Sequence, residues 1–388
     1  MEPLSTAQII WSMFIQFMPV WVALIITFAV SITFKRKLGL YGKLFDSPVG
    51  MVGLFLVLFW VFTAFLADMI ATFHPIEDVI SSMRRKAPGT AIPNPDDFGY
   101  SYFLLGGDIL GRDVFSRMVM GSREVLKIAP AATLFAFMAG IILGLPAGYF
   151  AGKLDTILSF IANLVLSFPV ILLFFLLVTP EIVNSGIPRY MAGLLFLFPI
   201  IFLVILLNSR YYTQPPLRNM LVGTVVVLGG WVYLGLAWDA DPLGMITMQG
   251  NQLIVFISVV FVNSPTVFRI VRGMVLDIQT RDYVAAAQTR GEGPWYIMLW
   301  EILPNARGPL LVDFCLRIGY TTILLGTLGF FGLGVSPESS DWGSTINAGK
   351  GQISFAAHIA VPPAIALMTL VLGLNLLADG LREESLKD

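Results

Sequence analysis

Charge is scarce in this chain. Only 13% of its 388 residues are Asp, Glu, Lys or Arg, whereas 56% are hydrophobic. Soluble domains carry about a quarter charged residues. An ordinary water-facing domain is therefore excluded, and a mean hydropathy of +0.81 points to lipid as the main solvent. The formal net charge of −1 supplies no bulk basic surface for a nucleic-acid partner. A single cysteine, Cys315, excludes an intrachain disulfide and any CxxC metal or redox pattern. The two histidines, His74 and His358, lie too far apart in sequence to suggest a His-built metal site. The opening MEPLSTAQ has no basic n-region and no A-x-A-like cleavage site follows, so the first apolar run is read as a retained span.

What the chain has in abundance is long apolar runs. About 20 such residues cross a bilayer as a helix. Nine runs qualify: Phe17–Phe34, Val52–Ala71, Ile128–Phe150, Thr156–Val178, Met191–Leu207, Met220–Ala237, Gln252–Ile270, Leu310–Val335 and Ala357–Leu377. They are continuous and do not alternate, which excludes a membrane barrel. The expected fold is an all-α, polytopic helical bundle. Pro146, Pro169, Pro265, Pro362 and Pro363 fall within runs and predict kinks.

Basic residues in short loops set orientation. Lys35, Arg36, Lys37, Lys43, Lys153, Arg210, Arg218, Arg269, Arg272, Arg281, Arg290, Arg307, Arg382 and Lys387 fall on one side of the nine runs. The opposite short segments hold only Arg189 and Lys350. This predicts an external N-terminus and a cytoplasmic C-terminus.

After the seventh run the chain reads RDYVAAAQTRGEGPWYIMLWEILPNARGP, Arg281–Pro309. Asp282 is placed to cap a short helix over Tyr283–Arg290, and Gly291 to end it. Ala285, Ala286 and Ala287 give that helix a flat surface that a partner can approach. A second amphipathic stretch runs Trp295–Leu303 and should stop at Pro304. From the residues alone, a docking helix and a bland loop stand about even.

These residues resemble the cytoplasmic loop of ABC importer permeases, E-A-A-x(3)-G followed by L-P. The match is Ala285-Ala286-Ala287, Gly291 and Ile302-Leu303-Pro304-Asn305, with Ala285 where the family has Glu. The dipeptide/oligopeptide branch is the most similar. Its L-G-T-D-x-x-G-R-D-x-x-S-R segment is matched at Leu104–Leu126 by Asp108, Gly111, Arg112, Asp113, Ser116 and Arg117, with Gly107 replacing Thr. Its L-S-F-L-G-L-G-V-x-P…W-G and L-N-x-x-G-D-x-L-R segments are matched at Leu328–Gly349 and Leu374–Glu383, with Leu325 where the branch often carries an intramembrane Glu.

The resemblance implies a permease with a six-span core in the inner membrane, so three spans here are additions. Residues 1–50 would be an extra N-terminal span and cytoplasmic linker, and 51–127 the first core span and a long external loop. Residues 128–388 would be the permease domain, with a helical hairpin inserted at about 190–240. The implied partners are a second permease subunit, two cytoplasmic ATPase subunits, an external solute-binding protein and membrane lipid. Transport would proceed by alternating access, with no chemistry and no cofactor on this chain.

Other features are weighed against bland alternatives. LGGDILGRDVFSR is read as an external turn held by pairing among Asp108, Arg112, Asp113 and Arg117 rather than as a ligand site. GSTINAGKG at Gly343–Gly351 and GYFAGKL at Gly148–Leu154 fail the spacing of a phosphate loop, so ATP is expected on partner subunits. Asp313 and Arg317, four residues apart in the eighth run, are read either as a mutual pair or as lining of the solute path. An ion-coupled transporter, or an importer of the same family for nickel, glutathione or oligosaccharides, are the alternative functions.

Overall fold

The computed structural model describes residues 2–246, 248, 250–333 and 339–385. Residues 334–338 of the LGFFGLGVSPE motif, and Lys387 of the basic tail, lie outside them. Helix α1 (Thr6–Gln16) opens with a capping box of Ser5 and Gln8, which the hydropathy reading passed over. Next come α2 (Met18–Phe34) and α3 (Pro48–Phe65), then a long loop with the paired strands β1 (Thr90–Ala91) and β2 (Tyr102–Phe103). There follow α4 (Val114–Phe150), α5 (Gly152–Ser167), α6 (Val170–Val178), α7 (Ile187–Leu195), α8 (Leu197–Arg210) and α9 (Pro215–Trp238). The chain continues with α10 (Gly250–Ile278), α11 (Asp282–Thr289), α12 (Arg307–Phe330), α13 (Trp342–Lys350) and α14 (Val361–Ser385).

Among the described residues, eight helices are long and apolar enough to cross a bilayer, or nine spans if α5 and α6 count as one. The expected fourth run is thus broken: α5 and α6 meet at 82°. The cause is Pro169, which disfavours the helical region for the residue before it. Phe168 is extended at φ −80°, ψ 134°. Pro180 repeats the effect on Thr179 and ends α6. The other prolines do not break their spans. Pro146 lies inside α4, Pro265 inside α10, and Pro362 and Pro363 in the first turn of α14. Around Pro265 the side chains of Asn263 and Ser264 donate to the carbonyls of Val259 (3.0 Å) and Val260 (2.6 Å). Both are i−4 side-chain bonds in the turn before the proline; the carbonyl that Pro265 itself leaves without its helical N–H is that of Phe261.

Two compact units emerge, Met1–Pro130 with Cys315–Asp388, and Ala131–Phe314. In the first, α3 and α14 meet through small residues. A Cβ on Gly53 would lie 2.3 Å from Leu377 N, and one on Gly380 would lie 2.5 Å from Gly50 Cα. Trp60 packs edge-on against the buried Trp342 at 5.1 Å, and Trp342 Nε1 donates to Met118 O at 2.8 Å. Leu4 N–H donates to Gly89 O (2.9 Å) and Gln16 Nε2 to Ile70 O (2.8 Å), so both ends of α1 are tied to the long loop or its approach.

In the second unit, Gly140, Gly144 and Gly148 form a row along α4. Each faces one residue of a matching row on α10: Val267, Val271 and Val275. Lipid is as apolar as the side chains, so small residues that let backbones close in are what hold membrane helices together. Asp155 of α5 pairs with Arg272 of α10. The hairpin α7–α8 then α9 joins this body through Phe196, which packs edge-on against Phe135 and Phe256 at 5.3 and 5.5 Å.

Candidate functional site

The segment after α10 is built by local rules. Asp282 is not the cap of α11. The cap position is Arg281, extended at φ −78°, ψ 147° with no side-chain cap bond, and Asp282 is the first helical residue. There its charge still favours the N-terminal end of the helix dipole. At the other end Gly291 is left-handed, φ +78°. Its N–H donates to Gln288 O (3.0 Å) and Glu292 N–H to Ala287 O (3.3 Å). This is the Schellman pattern that closes a helix. A Cβ at Gly291 would meet nothing within 4 Å, so the demand for glycine here is conformational, not steric.

The three alanines do not form one face. Val284 and Ala287 are wholly buried in a cluster with Val271, Val275, Ile297, Met298 and Ile302. At about 100° per residue their neighbours must point the other way, and Ala285 and Ala286 are exposed beside the partly exposed Tyr283. Alanine therefore stands at an outward position where the resembling family carries Glu.

Pro304 does not end the second stretch. Pro294–Tyr296 is a single α turn, Ile297–Ile302 is π-helical and Leu303–Ala306 is 3-10, after which α12 follows directly. The chain absorbs the proline, which lacks an N–H, by changing pitch rather than by stopping. Leu303 packs on the buried cluster and Pro304 is exposed. Arg290 Nη2 donates to Glu301 Oε1 at 2.8 Å, and Arg290 Nε lies 3.8 Å from Glu292 Oε1. These charges close the loop on itself.

Sequence reasoning missed Ser209 and Trp300, and read Arg210 only as a loop cation. Trp300 Nε1 donates to Ser209 Oγ at 3.0 Å, and the Arg210 guanidinium lies 4.8 Å over the Trp300 ring. The partners are 91 residues apart, and no local pattern announces them.

The Leu104–Leu126 motif forms a second, buried site in the first unit. Asp108 Oδ2 accepts from Arg112 Nε at 2.7 Å and lies 3.8 Å from Arg117 Nε. Asp108 Oδ1 accepts from the backbone N–H of Leu110 and Arg112. Gly111, at φ +92°, leaves a hypothetical Cβ 2.2 Å from Ile80 O, so both conformation and space require glycine. Asp113 uses Oδ2 to cap α4, accepting from Ser116 N (2.8 Å), Ser116 Oγ (2.7 Å) and Thr72 Oγ1 (3.1 Å). These partners of Asp113 are two hydroxyls and a backbone amide, not Arg117. Arg117 instead donates to Pro75 O (3.1 Å), Ser339 O (2.7 Å) and Thr345 Oγ1 (3.2 Å). Burial pushes the Asp113 carboxyl up to about 6, against the pull of its Ser116 and Thr72 bonds. Burial also raises Asp341, which caps α13 by accepting from Ser344 N at 2.9 Å.

Asp313 and Arg317 lie one turn apart on α12, the first half-buried and the second buried. Gly343–Lys350 of the glycine-rich GSTINAGKG stretch is helical, within α13. Among the described residues no group of three or more His, Cys, Asp or Glu side chains is placed to hold a metal ion.

The family model described as the binding-protein-dependent transport system inner membrane component matches residues 140–383. The glutathione transport system permease protein of Pectobacterium atrosepticum is 29% identical over 279 residues, 72% of this chain and 70% of the relative. The dipeptide transport system permease protein of Haemophilus influenzae is 25% identical over 333 residues, 86% and 88% of the two chains. The di/tripeptide transport system permease protein of Pseudomonas aeruginosa is 26% identical over 331 residues, 85% of each.

Proposed function

This chain belongs to the family of binding-protein-dependent transport system inner membrane components, as a permease subunit of an ABC importer, and on that premise we propose that it carries peptides or similar small solutes by alternating access. The relatives named for dipeptide, tripeptide and glutathione transport support that substrate class. The chain is a transport protein, not an enzyme. ATP is bound and hydrolysed by two cytoplasmic ATPase subunits, a second permease completes the path, and an external binding protein delivers the solute.

One observation carries the coupling role of α11. Its two faces are divided between an exposed pair, Ala285 and Ala286, and a buried pair, Val284 and Ala287. The buried pair shares its cluster with Phe137 and Leu145 of α4, Val271 and Val275 of α10, and Leu310 of α12. Interiors packed at crystal-like density transmit displacement rather than absorb it. A partner that moves the exposed face therefore moves the spans. Ala286→Trp should abolish docking by bulk while leaving Val284 and Ala287 seated. Co-purified ATPase and solute uptake should both fall by about tenfold or more, the equivalent of at least ~1.4 kcal/mol of binding. An Ala286→Trp transporter that retains its ATPases and its uptake overturns the assignment.

The N-terminus lies outside and the C-terminus in the cytoplasm. The loop basic residues support this, and so do two neighbour pairs: Leu4 beside Gly89 of the long loop, and Ser209 of the hairpin tip beside Trp300. Thr213 is exposed at that tip. In a Cys315→Ser background, Thr213→Cys should react with an impermeant maleimide only after the membrane is opened. Labelling of intact cells at this position refutes the orientation.

A further inference from the structure

We infer that the tip of the inserted hairpin is a positioning buttress for the ATPase-coupling segment, acting through Ser209 and Arg210 on Trp300. The inference rests on the coupling role of α11 proposed above and assigns a part to spans that the six-span core does not need. The physical problem is one of backing. A short helix pushed on its exposed face delivers force only if the segment behind it cannot yield. Here that segment is the π-helical turn Ile297–Ile302, whose Ile297, Met298, Leu299 and Ile302 are buried with Val284 and Ala287. A π turn is wider and less stable than the α form and recurs at functional sites. Its pitch needs support from outside.

The hairpin supplies that support at three points. Phe202, Ile205 and Leu206 of α8 pack against the same buried cluster as α11. Ser209 Oγ donates to Leu206 O at 2.9 Å, which leaves a lone pair directed outward to receive the Trp300 indole N–H. Arg210, the last residue of α8, stands at the negative end of that helix and lays its guanidinium on the Trp300 ring. Trp300 precedes Glu301, which holds Arg290 and so the end of α11. The chain of contacts runs from α8 through Trp300 and Glu301 to Arg290, beside the Schellman turn. A cleft of about 570 Å³ lies between the tip and Gly291–Tyr296, so the two are joined at discrete contacts rather than fused.

The test uses the complete transporter, with both permeases, the ATPases and the binding protein, in proteoliposomes. The variants are Ser209→Ala/Arg210→Ala, Trp300→Phe and Arg210→Lys, with Ala286→Trp alongside. The double variant and Trp300→Phe should reach normal membrane levels and keep their ATPases, because the exposed face of α11 is untouched. Solute moved per ATP hydrolysed should fall by about fivefold or more in the double variant, the scale of one cation–π contact plus one hydrogen bond, and by about twofold to tenfold in Trp300→Phe, which loses the indole N–H but keeps a ring under Arg210. Arg210→Lys, which keeps a cation over the ring, should hold most of the wild-type ratio. A purely structural role would instead lower membrane level and leave the ratio unchanged, which overturns the inference. If the double variant fails to accumulate, Trp300→Phe alone carries the same readout. A wild-type ratio there, with Ala286→Trp still shedding the ATPases, sinks the buttress and leaves the docking reading intact. If Ala286→Trp keeps both its ATPases and its uptake, the docking reading falls and the buttress with it.

Discussion

Arg117→Ala should leave the first unit unable to hold its long loop, and the protein should fail to accumulate in the membrane. The side chain is 1% exposed and ties three stretches to the start of α4: Pro75 in the long loop, Ser339 before α13, and Thr345 within it. Truncation removes all three bonds, strands buried acceptors and takes away a cation 3.8 Å from Asp108. Breaking a buried charge network by removing one partner costs about 3–5 kcal/mol. That is a large share of the ~5–15 kcal/mol by which a folded domain is stable. Arg117→Lys should not rescue it, since one ammonium cannot reach acceptors spread around a planar fork. Membrane level by immunoblot and melting of the purified protein in detergent measure the effect. Wild-type values in both for Arg117→Ala would show that the long loop does not depend on this residue.

Gly144→Leu should be equally damaging in the second unit, for a steric reason. A Cβ at this position would lie 2.8 Å from Val271 Cβ and 3.0 Å from Phe268 O, before any of the rest of leucine is added. Overpacking a close-packed core by a few methylenes costs roughly 1–3 kcal/mol. Here the obstacle includes a backbone carbonyl, which moves only with α10. Since α10 leads into α11, the substitution should also displace α11. Uptake should vanish, and ATPase subunits should co-purify poorly. A compensating pair separates packing from other causes. Gly144→Ala/Val271→Gly adds a methyl on one helix and clears the isopropyl group it would strike on the other, and should recover more protein than Gly144→Ala alone. Equal recovery by the single and the double variant would count against direct contact at this point.

Much of this architecture is legible in the chain as a string, and what is not has a common reason. The spans are written in long apolar runs, and the end of α11 in Gly291. The break between α5 and α6 was also legible, since Phe168 precedes Pro169. Pro265, by contrast, sits inside the unbroken α10, which the proline alone does not announce. Gly140, Gly144 and Gly148 announce a close approach by their four-residue spacing. Which helix approaches is a tertiary fact, decided by Val267, Val271 and Val275 more than a hundred residues on. The division of the alanine run into Ala285 and Ala286 outside and Ala287 inside follows from helical geometry once the buried neighbour Val284 is known. The π turn and the Trp300 contacts have no local signature. They arise where two segments meet and each supplies half of the arrangement.

The bend between α5 and α6 carries a consequence for how the protein is made. During synthesis the run Thr156–Val178 leaves the ribosome long before α10 exists. An abrupt turn interrupts the backbone ladder, and unsatisfied amide groups in hydrocarbon cost several kcal/mol each. Pro169 nevertheless writes the break into the nascent span, which meets lipid with those groups unshielded. The partners that anchor α5, Arg272 for Asp155 and Arg269 for Asn163, are translated roughly a hundred residues later. The break belongs to the inserting chain, and its cover belongs to the assembled molecule. The insertion machinery therefore handles a segment already interrupted at Pro169, and its α5 half is anchored only afterwards, inside the membrane, when its neighbour arrives.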